Sequence, residues 1–255
     1  MWRQFSVISF LLTTFALKGS YGMTGPVVEG AKLNDGLVKS GMGYFVVTMN
    51  LPFDCLLAGR QINMAVEYIF KEKECRYTAL PFLTDVNLPL EAMKIKRTKE
   101  IPDSVDPYNL LNWGITVYGE PIGRFLERHK NARLIGREKI EGEECYVVEI
   151  SPADLSPRRM YVFLIHGAAG VVVPFWRELK LWINPNKGYR VQKVEDKING
   201  RYLFTYLIEL RRYPGNIYFP KSIWAKVCDS DREELIGEYK IICEREFLIN
   251  PDIPD

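Results

Sequence analysis

The chain has 255 residues but only two histidines, His129 and His166, so general-base candidates near neutral pH are few. It has no P-loop, no G-x-G-x-x-G, no H-E-x-x-H, no S-x-x-K and no calcium-loop pattern, and its Gly-rich stretches carry no phosphate-cradling signature. His166 precedes Gly167-Ala168-Ala169-Gly170, a setting that would suit an oxyanion loop, but the G-x-S-x-G elbow that such chemistry needs is missing. His129 ends a charged stretch and reads as solvated. Five cysteines, Cys55, Cys75, Cys145, Cys228 and Cys243, contain no C-x-x-C pair, which argues against a metal site, and their odd number leaves bridges and free thiols both open. No enzyme, metal or cofactor is expected.

Charge of one sign is also missing. Lys and Arg number 34 against 32 Asp and Glu, a formal charge of +2, and no basic run stands out, which argues against nucleic acid as a partner. No run is long enough to span a bilayer, for which about 20 apolar residues are required. The apolar stretch Phe5 to Leu17, behind Arg3 and ahead of Ser20-Tyr21-Gly22, is instead expected to be a signal peptide over residues 1–22, with the mature chain starting at Met23. An exported protein in the periplasm or cell envelope follows, with residues 23–255 as a single domain.

What the sequence does have is alternation. Ile62, Met64, Val66, Tyr68 and Phe70 recur at every second position, which is the period of a half-buried strand. From Arg133 onward, strand-like runs follow one another through a Glu141-Gly142 turn, the Asn184-Pro185-Asn186-Lys187-Gly188 turn and an Asn199-Gly200 hairpin signal, implying an antiparallel meander in sequence order. Tyr202, Phe204, Tyr206, Ile208 and Leu210 form an aromatic and aliphatic stripe, and Leu203 and Leu207 on the opposite parity suggest that this strand is covered on both sides. Residues 23–40 show little pattern, and the short segment after Pro121 is the one good helical candidate. The apolar stretch from Gly167 to Trp176 and the 105–126 region, with Leu110, Leu111, Trp113, Phe125 and Leu126, read as lids over an apolar face.

The turn Trp182 to Tyr189, the following Asn-Gly hairpin, the segment Asn216-Ile217-Tyr218-Phe219-Pro220 and the upstream pair Leu134 to Glu138 and Glu141 to Tyr146 together resemble the outer-membrane lipoprotein-sorting superfamily, whose members include periplasmic lipoprotein carriers. The resemblance covers roughly residues 35–250. It implies a mainly β fold: a strongly curved antiparallel sheet, an incomplete β-barrel, with a few short helices covering its open side. It also implies a hydrophobic cavity that takes lipid or the acyl chains of a lipoprotein, for transport or sensing. The residues expected to line it are Met64, Val66, Tyr68, Phe70, Trp113, Tyr202, Phe204 and Tyr206. The competing expectation is an envelope scaffold or regulatory protein that binds a protein partner and has no lipid cavity.

Overall fold

Residues that alternate between apolar and polar can satisfy their backbone only by pairing with neighbours, and here they pair into one large antiparallel sheet. The computed structural model describes residues 25–50, 61–71, 74–83, 95–100, 114–117, 120–151, 158–162, 171–175, 177–243 and 247–251. The chain runs α1 (Pro26–Asp35), β1 (Ser40–Asn50), β2 (Gln61–Lys71), β3 (Glu74–Leu83), β4 (Ile95–Glu100), β5 (Thr116–Val117), β6 (Glu120–Pro121), α2 (Ile122–Arg128), β7 (Arg133–Ile140) and β8 (Glu143–Ile150). It continues through β9 (Arg158–Val162), β10 (Val171–Phe175), β11 (Arg177–Asn184), β12 (Arg190–Ile198), β13 (Tyr202–Tyr213), β14 (Ile217–Asp229), β15 (Glu234–Cys243) and β16 (Leu248–Ile249).

The main sheet has 12 strands in the order β4-β3-β2-β1-β15-β14-β13-β12-β11-β8-β7, with β16 pairing onto β1. It is open, with β4 and β7 as its edges. The β7 edge carries a bulge at Ile135, because Leu134 stands opposite Val148 while Gly136 stands opposite Val147. A bulge of this kind spoils an exposed edge as a template for further pairing.

Two departures from a simple meander matter. The β1–β15 pairing joins the N-terminal strands to the C-terminal ones. Strands β9 and β10 leave the main sheet and form their own hairpin, so β8 pairs directly with β11. Arg158–Val162, which lies within the stretch expected to be a meander, is therefore an excursion and not a rung of it.

The sheet is strongly curved. Phe70 on β2 and Phe219 on β14 are separated by three strand spacings, about 14 Å on a flat sheet, yet their ring centroids lie 6.2 Å apart. The turns follow their sequence signals: Glu141-Gly142 and Asn199-Gly200 both take positive φ at both positions, the two-residue geometry that matches strand twist.

Helix α1 was not expected from its sequence. Pro26 opens it at N1, Gly36 ends it, and Val27, Gly30 and Ala31 are buried at helical spacing. Gly30 hides the signal, since a glycine normally argues against a helix interior. It is required here because a Cβ would collide with the ring of Tyr189.

Cys145 and Cys243 are buried free thiols and Cys228 is a half-buried one; Cys55 and the side chain of Cys75 lie outside the described residues. Burial pushes the Cys145 thiol up to about 11 and that of Cys243 up to about 12. In the native protein at pH 8, alkylation of Cys228 should outpace that of Cys145 and Cys243 by at least about tenfold, because burial keeps those two thiols protonated and out of the reagent's reach. Peptide mapping after a timed iodoacetamide pulse would show it, and equal labelling would contradict the buried placement.

Candidate functional site

Direct cross-strand partners share a face of the sheet, so the registers trace the inner surface residue by residue. One row runs Val148, Leu181, Val194, Tyr206, Ala225 across β8, β11, β12, β13 and β14. The next runs Ile150, Leu179, Asp196, Phe204, Val227, and the one after it Arg177, Ile198, Tyr202, Asp229. On the other half, Phe45 stands between Val66 and Cys243, and Val47 between Met64 and Ile241.

This inner face has two unlike ends. At the first, where β2 and β13 finish and β1, β12 and β14 begin, the face is closed by aromatic rings and by both helices. Phe247 stacks on Phe219 at 4.8 Å and on Phe70 at 6.3 Å, Tyr68 sits 5.9 Å from Phe45 and from Phe70, and Tyr213 meets Phe219 edge-on at 6.3 Å. Gly41 and Gly43 on β1 make room: a Cβ on either would run into Phe247. Val27 and Ala31 of α1 and Ile122, Phe125 and Leu126 of α2 join the same core.

The helices are tied to each other and to the sheet by charge. The Asp35 carboxylate, at the end of α1, accepts from the backbone N–H groups of Gly123 and Arg124 at 3.2 Å each, at the start of α2. Arg190, fully buried at the start of β12, donates from Nη2 to the Asn34 carbonyl at 2.9 Å, one of the orphan acceptors of the α1 C-terminus. Burial brings its guanidinium down to about 10, so it remains a cation at neutral pH. Lys32 and Glu127 bridge the two helices on the solvent side at 2.9 Å.

Burial raises the Asp35 carboxyl above its ordinary 3.8, outweighing the two backbone hydrogen bonds that favour the anion. Folding therefore favours the neutral acid. The contribution is fully present below 3.8 and is lost as pH rises through the folded value. The stability advantage of the native chain over D35N should accordingly shrink as pH is raised from about 4, the ordinary carboxylate range, in parallel urea titrations. A growing advantage would reverse the assignment.

The second end lies where β12 and β14 finish and β11 and β13 begin. Here Tyr202, Phe204 and Val227 are only half-buried. Beside them Arg177 and Asp196 form an ion pair at 2.7 Å with side-chain exposures of 8% and 0%. Arg201 bonds Asp229 at 2.6 Å, reaches Asp231 at 3.7 Å and lies over the Tyr202 ring at 5.0 Å, while Arg232 is 3.9 Å from Asp229. The Arg201 hydrogen bond holds the Asp229 carboxyl below the usual carboxylate range.

The expected lining residues thus divide. Val66, Tyr68, Phe70 and Tyr206 lie on the inner face, at exposures of 0–2%. Tyr202 and Phe204 lie on the same face, half-buried at the second end. Met64 occupies an inner-face register position opposite Val47. Trp113, His166 and the 163–170 stretch fall outside the described residues.

Two sequence expectations are corrected. The β13 stripe is covered on one side only, since Leu207 is 37% exposed and Leu203 half-buried on an outer face that also shows Trp224. A strand whose outer apolar residues face lysines (Lys193 stands opposite Leu207, and Lys226 lies 4.1 Å over the Trp224 ring) does not need a second layer. His129 is not solvated: it is buried beyond α2, its ring 4.4 Å from that of Phe125. Sequence reasoning also missed Arg177–Asp196 and Arg190, because a charged residue on a strand reads as outward unless its parity is followed through the whole register.

No described helix is long and apolar enough to cross a membrane. No family model matches the chain, and no curated protein does. Among solved structures it is similar to a Vibrio parahaemolyticus domain assigned to outer membrane lipoprotein sorting, at 11% identity and a TM-score of 0.48, over 90% of this chain and 93% of that one. It is also similar to LprF from Mycobacterium bovis, at 13% identity and a TM-score of 0.31, over 85% of this chain and 89% of that one. These likenesses extend over most of all three chains.

Proposed function

We propose that the chain is an exported envelope protein that holds lipid, or the acyl chains of a lipoprotein, against the inner face of its curved sheet, as carrier or sensor and without a covalent step. The observation that carries this reading is the inner face itself. It is apolar inward of its charged rim, it belongs to a sheet that does not close, and Tyr202 and Phe204 at one end are only half-buried. The apolar run ahead of Gly22 supports export. Burial would supply the affinity: at about 0.8 kcal/mol per CH₂, a chain of about 14 carbons offers on the order of 10 kcal/mol before the losses of binding are deducted.

One observation favours the scaffold alternative. At the helix end the face is already packed, with Val66 and Tyr68 at 0% exposure and Tyr68 among the rings of Phe45, Phe70 and Phe247, so a ligand there would have to displace packed rings. Native mass spectrometry of the chain from Met23, exported by its host and purified without detergent, separates the two. Co-purifying acyl lipid at a fixed ratio is the expected result. An apo mass that also fails to take up added lipid would leave the scaffold.

A further inference from the structure

We infer that the ligand is admitted at the end of the sheet bounded by Arg177, Ile198, Tyr202 and Asp229, away from the helices, and that this end selects an acyl chain bearing an uncharged, hydrogen-bonding head. The inference rests on the lipid-binding reading above and adds the place of access and the class of head group.

The two ends of the inner face make unequal demands on an incoming chain. At the helix end it would have to part the stack of Phe70, Phe219 and Phe247 and break the Arg190 and Asp35 contacts that hold α1 and α2. Interiors packed to this degree resist insertion of even a methylene. At the opposite end Phe204 is in contact with the core yet half-buried, and its cross-strand neighbour Val227 is half-buried with it. An acyl chain can lie on these two without displacing a packed ring. Tyr206, one step inward on the same face and 2% exposed, forms the floor.

The rim decides the head. Arg177, Arg201 and Arg232 stand there with Asp196, Asp229, Asp231 and Glu234, the last being the cross-strand partner of Asp229, three cations against four anions. Such a rim offers donors and acceptors with no surplus of positive charge. A carboxylate or phosphate would give up hydration and meet more repulsion than attraction, whereas an ester or amide carbonyl can accept from an arginine and a hydroxyl can also donate to an aspartate. A glyceride-type head suits this arrangement and a free fatty acid does not.

The test uses the mature chain and a monoacylglycerol carrying a photoreactive diazirine on its acyl chain. Peptide mapping after irradiation should place most adducts on the segments holding Tyr202, Phe204 and Val227. Adducts mainly on the segments of Phe70, Phe219 and Phe247 would overturn the place of access while leaving lipid binding intact. The absence of any bound lipid by native mass spectrometry would instead remove the reading on which the inference rests. F204E, at a half-buried position that should tolerate a charge, is expected to weaken uptake at least about tenfold, with the thermal midpoint reporting that the chain still folds. Monoacylglycerol should be preferred over the fatty acid of equal length by at least about fivefold at neutral pH, and equal or reversed preference would remove the role of the rim.

Discussion

Replacing Phe247 with alanine should lower the stability of the chain by about 3–5 kcal/mol, the range found for truncating a fully buried aromatic side chain. Phe247 is 1% exposed and touches the rings of Phe219, Phe70 and Tyr68 at 4.8, 6.3 and 6.4 Å. Its seat is built into β1, where Gly41 and Gly43 lack the side chains that would occupy it. The neighbours belong to β2 and β14, strands held apart by the sheet, so they cannot collapse readily into the space left behind. Leucine at the same position should recover a good part of the loss. The measurement is the shift in urea midpoint at constant m, and a loss below about 1.5 kcal/mol would mean that the aromatic end is loosely packed after all.

The second large effect concerns Arg177 and Asp196. R177M or D196L alone is expected to destabilise by about 3–5 kcal/mol, since either strands a partly desolvated charge without the partner 2.7 Å away. The double variant should come back to within about 1 kcal/mol of the native chain or exceed it, because two apolar side chains on the inner face escape the desolvation penalty altogether. A double-mutant cycle by urea denaturation reads this directly. If the double variant is stable but discriminates less between monoacylglycerol and fatty acid, the pair contributes recognition more than stability. If instead the two losses simply add, the ion pair is not the unit that the geometry indicates.

Much of the sheet was legible in the residue pattern. The alternation in β2 and β13, the Glu141-Gly142 and Asn199-Gly200 turns, and the helix after Pro121 all stand where period and turn chemistry place them. Those signals are local: a two-residue turn or a period-2 stripe is written in adjacent residues and needs no partner to be read. The candidate site was legible only in part. Val66, Tyr68, Phe70, Tyr202, Phe204 and Tyr206 do share one face, but the pattern could not say that the first three would be sealed under rings and helices while Tyr202 and Phe204 stayed half-buried.

By itself, then, the sequence determined that this chain forms an antiparallel sheet with one apolar face, because alternation and turn geometry are properties of the chain near each residue. Only the tertiary structure decided how that sheet closes on itself. The β1–β15 pairing brings Phe45 to Cys243 and carries β2 toward β14, contacts between residues far apart in sequence that no local period encodes. Only the structure, too, made a helix of Pro26–Asp35, where Gly30 is needed by the ring of Tyr189, and set Arg177 against Asp196 on the inner face. Which end of that face is packed with buried rings and which carries half-buried ones depends on side chains meeting across these long-range pairings, and that meeting exists only once the sheet has curled.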